Sequence, residues 1–235
     1  MTSVFWAELH SRLEPFDLLC HPFYKAWTAG ELSREDLRDY AAEYYHHVQA
    51  FPQYLLALAA RLPDTELRRA VLENFSDEMA LDSPGAPPHH ALWLKFAAGM
   101  GASVTDVRTR EPIAEMRQLV AVFERFADNG STAEALAAFY AYESQVPRVA
   151  EAKERGLKEL YDADADTCSY FHLHKTADVR HSQVWRERLD GILSKNPELA
   201  DAALNAAETV ARSLWGALDG IERARHNGAH CATAS

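Results

Sequence analysis

Several features are missing from this chain, and each absence removes a class of protein. No stretch alternates β-branched and polar residues as a half-buried strand does, so nothing supports a sheet. No apolar run approaches the ~20 residues of a membrane span, which argues against a membrane partner. No basic run exists: 24 Lys plus Arg stand against 35 Asp plus Glu, for a formal charge of -11. A chain this acidic repels phosphate backbones, so nucleic acid is not an expected partner. Cysteine is scarce, and Cys20, Cys168 and Cys231 show no paired spacing. That pattern suits free thiols in a reducing compartment. The opening "MTSVFWAELHSRLEPF" lacks the basic start and apolar block of a secretory signal. These observations predict a soluble, cytoplasmic protein. Equally absent are internal repeats, a heptad array, a glycine-rich phosphate loop, G-x-S-x-G and H-E-x-x-H.

What remains is helical periodicity. With 235 residues, 48% of them hydrophobic, the chain fits one domain, expected over 1–228 with 229–235 as a flexible tail. Phe5, Trp6, Leu9, Leu13 and Phe16 form an amphipathic stripe over 4–19. Ser33 and Asp36 have the spacing of a capping box for a second helix, which carries Pro52 and is expected to bend there. Further helices are expected from Asp64 to about Leu81, from Pro88 to Met100, and over 111–128. Ser131 and Glu134 cap a long helix over 132–160, followed by helices over 176–194 and from Asn196 to near "RHNG". "DSPGAPP" and "YDADAD" read as breaks. The expectation is an all-α bundle of seven or eight helices.

The chemistry-bearing stretch is "YFHLHKTADVRH", residues 170–181. If its helix reaches back to His174, then His174, Asp178 and His181 stand at i, i+4 and i+7, within an arc of about 60°. Two imidazoles and a carboxylate on one face suit a first-row metal, whereas His172 lies off that face. One helix does not supply a dinuclear site. Glu143, in "FYAYESQVPRVAEAK", is a carboxylate embedded among apolar residues, where it needs a partner, and Pro147 weakens the helix beside it. Glu78 and His89 flank the "SPGAPP" loop, with Glu73, Asp77 and His90 as local competitors. Glu43 and His46 make one Glu-x-x-His step, but ferritin-like dimetal sites need two, and no second copy exists; Glu43, His46 and His47 are expected either to support metal ligands from behind or to pack. Cys20 and His21 are adjacent, a weak signal for a nucleophile pair.

The ordered set "HPFYKAWTAGELSREDLRDYAAEYYHHVQAFP", Asp77-Glu78, "HHALW", "YESQVPRVAEAK" and H-x-x-x-D-x-x-H resembles the haem-oxygenase-like dimetal oxidases of the thiaminase-II and pyrroloquinoline-quinone-synthase-C superfamily. Within it the chain looks closest to the subgroup typified by the chlamydial protein associating with death domains. The likeness spans about residues 18–220. It implies a haem-oxygenase-like bundle holding two metal ions, Fe/Fe or Fe/Mn, on Glu78, His89, Glu143, His174, Asp178 and His181. His89 is preferred to His90 because it stands three residues before Leu92-Trp93.

The resemblance further implies an oxidase that uses dioxygen and an external reductant to make 4-aminobenzoate for folate synthesis. Its own tyrosine supplies the ring and a lysine the amino group. By motif these are Tyr24 and Lys153, with Tyr40 and Tyr142 as further tyrosines near the metals. A homodimer is common for the scaffold. Along an ideal helix Lys153 would stand about 15 Å beyond Glu143 and about 80° around the axis. Two other readings remain open: an oxidase of a free fatty or amino acid on the same scaffold, and a non-enzymatic helical interaction protein. Thiamin-salvage hydrolysis lacks a mid-chain cysteine nucleophile. A cofactor-free quinone synthase would not need so full a ligand set.

Overall fold

The computed structural model describes residues 2–63 and 65–232, and among these residues there is no β-strand. Asp64, expected to start a helix, and residues 233–235 lie outside the described residues, as does the Cys231 side chain. Cys20 and Cys168 are free thiols. No helix of the described residues is long and apolar enough to cross a membrane.

The first amphipathic stripe forms α1 (Thr2–Leu13) and then tightens into two single 3-10 turns around Pro15 and Leu19. The His21 side chain caps α2 (Pro22–Ala29) by accepting from the Phe23 amide, and Gly30, at φ 72°, ends it in a left-handed turn. The capping box forms as its spacing predicts: Ser33 Oγ accepts from the Asp36 amide at 3.0 Å, and Asp36 accepts from the Ser33 amide at 2.8 Å. It opens α3 (Arg34–Arg61), which carries Pro52 within it. Then come α4 (Thr65–Met79), α5 (His89–Gly99) and α7 (Ala114–Asn129). Between the last two lies α6 (Val104–Thr109), whose Ser103 cap accepts from the Asp106 amide. That helix is absent from the sequence-based expectation.

Two expected helices differ in extent. The single helix over 132–160 is two helices, α8 (Thr132–Glu143) and α9 (Val146–Leu160). Pro147 stands in the first turn of α9, where its missing N–H costs nothing, and this restarts the helix rather than kinking it. Gln145 locks the junction: its Oε1 accepts from the Leu18 amide and its Nε2 donates to the Ala141 carbonyl. Helix α10 (Ser169–Lys195) begins well before residue 176 and carries the whole histidine-rich stretch. After a 3-10 turn at Pro197–Leu199, α11 (Ala200–Ala232) runs on past residue 228.

Helix α11 packs along α7 and α8, α3 along α4, α5 and α7, and α10 along α8 and α9. The enclosed space is crowded with aromatic rings, among them Trp27, Tyr40, Trp93, Phe96, Phe171 and Trp185. Gly156 lets α9 close on α2: a Cβ there would stand 2.9 Å from Trp27 Cδ1. The same contact points Trp27 Nε1 at the Lys153 carbonyl, 3.4 Å away.

Candidate metal centre

Six titratable side chains converge inside the bundle, and all are at most 5% exposed. Glu78 comes from the last turn of α4, His89 from the first residue of α5, Glu143 from the end of α8, and His174, Asp178 and His181 from one face of α10. Helix α4 ends just past Glu78 because Ala80 turns left-handed at φ 52°, with Leu81 N donating to Ser76 O at 2.9 Å. They form two triads, Glu78–His89–His174 and Glu143–Asp178–His181, each with one ligand atom per residue, all within 4.8 Å of one another.

Hydrogen bonds at the far side of each group fix which atom faces inward. His174 Nδ1–H donates to the Tyr170 carbonyl at 2.8 Å, which turns Nε2 toward Glu78 Oε1, 4.0 Å away. His181 Nε2–H donates to Asp77 Oδ2 at 3.0 Å, which leaves Nδ1 facing Asp178 Oδ1 at 3.9 Å and Glu143 Oε1 at 4.0 Å. Asn74 Nδ2 donates to Glu143 Oε1 at 3.0 Å, and Trp185 Nε1 donates to Oε2. His89 Nδ1 pairs with Glu78 Oε2 at 3.1 Å, whereas Asp178 Oδ2 and His181 Nδ1 have no hydrogen-bond partner. Such orphaned buried atoms cost about 1–3 kcal/mol each unless something else satisfies them. A cation in their triad would do so, and mixed imidazole and carboxylate donors suit first-row metals.

The electrostatics agree. Burial, together with Asp178, pushes the Glu143 carboxyl up to about 8. For His181 burial opposes protonation, but Asp178, Glu143 and Asp77 outweigh it and raise the imidazole to about 9. Glu78 is also disfavoured by burial, yet His89 and the other imidazoles hold it below the ordinary range. Without metal, Glu143 and His181 hold protons that a cation in their triad would displace, because the ligands bind metal in their deprotonated forms.

The competitors go elsewhere. His90 is half-buried and Glu73 is exposed. Glu43 Oε1 accepts from the Ile113 amide at 2.7 Å, anchoring the start of α7. His47 is buried among Phe51, Tyr54, Phe123 and Tyr142, and burial lowers it to about 3. His172, with 71% of its side chain exposed, pairs with Glu154. His21 caps α2 and donates through Nε2 to Asp219, so it does not serve Cys20.

Beside the triads lies a second cluster. Lys153 Nζ donates to Tyr24 Oη at 2.8 Å and Tyr40 Oη at 2.5 Å, and the two phenol oxygens are 3.0 Å apart. The helix break at 144–145 brings Lys153 in: it belongs to a different helix from Glu143 and is not displaced along a common axis. Aromatic rings surround the amine, with Tyr24 at 4.2 Å and Trp27 at 5.3 Å from centroid to Nζ. Burial alone drives the lysine well below its ordinary value, which favours the neutral amine. A cavity of about 30 Å³ lies against Tyr24, Tyr44, Tyr142, Lys153 and Tyr170. A second, of about 10 Å³, lies against Glu78, Tyr142, Tyr170, His174 and Asp178. Tyr142 and Tyr170 are therefore the partition between the amine and the metal triads. Tyr44 and Tyr170 escaped the sequence reading, though they stand four residues from Tyr40 and His174, on the same helix faces.

The lowered lysine makes a stability prediction. The unfolded chain holds the Lys153 proton up to about pH 10.4, while the folded chain releases it at lower pH. Wild-type stability therefore climbs with pH between the depressed folded value and that limit. Lys153→Met has no such burden. It is expected to melt above wild type near neutrality, with the gap closing toward pH 10; a constant gap in thermal melts across that range would refute a neutral lysine.

Comparison with known proteins places this architecture. Residues 38–215 match the family of iron-containing redox enzymes. A 4-aminobenzoate synthase of Chlamydia pneumoniae is 39% identical over 216 residues, covering 92% of this chain and 93% of the relative. A 4-aminobenzoate synthase of Nitrosomonas europaea is 37% identical, covering 94% and 92%. Among solved structures, a CADD-like protein of unknown function from Nostoc punctiforme superposes with a TM-score of 0.75 at 14% identity, over 94% of this chain and 98% of that one. A TenA homologue from Pseudomonas syringae gives a TM-score of 0.75 at 16% identity, over 95% and 96%. At those identities the structures speak for the haem-oxygenase-like fold alone. With the matched segment, the buried donor triads and the full-length relatives together, the chain belongs to the iron-containing redox enzymes.

Proposed function

We propose that this enzyme makes 4-aminobenzoate, taking the aromatic ring from its own Tyr24 and the amino nitrogen from Lys153. One observation carries the reading: a buried amine, which its apolar surroundings push toward the neutral form, is held 2.8 Å from a phenol oxygen, one tyrosine layer away from two metal-ligand triads. The relatives named 4-aminobenzoate synthase support it. Glu78, His89 and His174 would hold one ion, and Glu143, Asp178 and His181 the other, as Fe/Fe or Fe/Mn. That pair would supply the reduction of dioxygen, driven by an external reductant, that makes oxidation of a phenol feasible.

The chain's own residues do the rest. Tyr142 and Tyr170 separate the oxidising centre from the amine. The Lys153 amine, 2.8 Å from Tyr24 Oη, is the base within reach of the phenol proton as the ring is oxidised, and Tyr40 Oη, 3.0 Å from the same oxygen, hydrogen-bonds to it. Once it has passed that proton on, the amine can bond to the ring carbon that carries the phenol oxygen; the C–O bond then breaks with the oxygen leaving as water, and the Lys153 Nζ–Cε bond breaks to release the nitrogen with the ring. The aromatic walls keep bulk water out: a cavity of about 30 Å³ has room for about two water molecules. Pockets for free small-molecule substrates run to ~300 Å³ or more, which favours a substrate built into the chain.

Intact-mass spectrometry tests this. Protein loaded with iron and manganese, reduced, and exposed to oxygen should yield no more than one 4-aminobenzoate per chain. Chain mass should change in step, and the change should map to the peptides carrying Tyr24 and Lys153. Many products per chain at unaltered mass would replace the reading with oxidation of a free substrate.

A further inference from the structure

Asp77 directly precedes Glu78 in the last turn of α4 and is half-buried. It lines an open groove of about 490 Å³ between α4, the 80–88 loop and α10, together with His89, Arg180 and His181. The groove thus reaches the outer faces of two imidazoles whose inner faces belong to the buried triads. The Asp77 carboxylate accepts from His181 Nε2 at 3.0 Å and, from the solvent side, from Arg180.

The two α10 imidazoles are supported differently. His174 rests on a neutral, buried backbone carbonyl, that of Tyr170. His181 rests on a carboxylate at the protein surface. A carboxylate behind a metal-binding histidine fixes the tautomer, holds the ring plane and strengthens the inward nitrogen as a donor; losing it costs about 10–100-fold in metal affinity.

We infer that Asp77 is the positioning residue for the Glu143–Asp178–His181 half of the centre, and that Arg180 anchors it there. Asp77 keeps the His181 proton on Nε2, and so keeps Nδ1, which has no partner of its own, directed at Asp178 and Glu143. The inference rests on the proposed two-metal reading and concerns one site of the two.

The test is a titration of metal-free protein with Mn(II) alone, with free Mn(II) counted by electron paramagnetic resonance. Wild type should bind two ions. Asp77→Ala should weaken one site by about 10–100-fold and leave the other as in wild type, while the metal-free protein melts as wild type does. Asp77→Asn keeps an acceptor oxygen and should recover part of the loss. Two unchanged sites in Asp77→Ala would overturn the inference. So would equal weakening of both sites with a lowered metal-free melting temperature, which marks a merely structural residue. Wild-type protein that binds fewer than two ions would overturn the two-metal reading itself, and this inference with it.

Discussion

Tyr24→Phe is expected to abolish 4-aminobenzoate formation while both metal sites still fill. The change removes a single oxygen. The ring keeps its packing against Phe23, Trp27 and Tyr40, and Lys153 keeps its bond to Tyr40. What is lost is the electron-rich phenol and the carbon–oxygen bond at which nitrogen would enter. Barrier increases of only ~3 kcal/mol reduce a rate by about 100-fold, and oxidising an alkylbenzene ring that lacks the hydroxyl demands more than that. Product should therefore fall below detection by chromatography, with metal content matching wild type. Tyr54→Phe is the control: that hydroxyl is buried, has no partner and lies outside both cavities, so its loss should leave product formation intact. Wild-type product from Tyr24→Phe would exclude Tyr24 as the source of the ring.

Asp178→Ala should have the second large effect, and its sign depends on metal. In the metal-free chain Asp178 is a buried acid with one orphaned oxygen, and its charge is one reason Glu143 is pushed up to about 8. Removing it relieves that crowding, so the metal-free variant should melt at or above wild type. Added Mn(II) should then raise wild-type melting strongly and the variant's much less, because ligand binding stabilises in proportion to its affinity. Metal analysis should find at most about one ion per chain, and product should fall by more than the ~10–100-fold that outer partners cost. A variant that holds two ions would remove Asp178 from the ligand set.

The contrast between these residues shows what a sequence carries and what it hides. His174, Asp178 and His181 were legible because helix periodicity alone places i, i+4 and i+7 on one face. Glu143 was legible as an acid in an apolar run. The approach of Glu78 to His89 was not, because it depends on a left-handed turn at Ala80 and an irregular loop. Lys153 was misleading for a different reason: distance along an ideal helix has no meaning across the break that Ser144 and Gln145 introduce. The start of α10 was hidden because Cys168 offers no side-chain cap, and with it went Tyr170. Conversely, Ser103 and Asp106 carried a readable cap for α6. Asp77 looked like an ordinary exposed acid until its contact with His181 was seen.

The tight aromatic packing around Tyr24 gives the proposed reaction an afterlife. Tyr24 is 3% exposed and wedged among Phe23, Trp27 and Tyr40, so excising its ring leaves a hole in the core. Emptying an aromatic site typically costs about 3–5 kcal/mol, a large share of the ~5–15 kcal/mol that holds a domain folded. A spent chain would thus carry its own expiry mark. It opens more often than a fresh one, and cellular proteases that act on opened chains remove used copies ahead of unused ones.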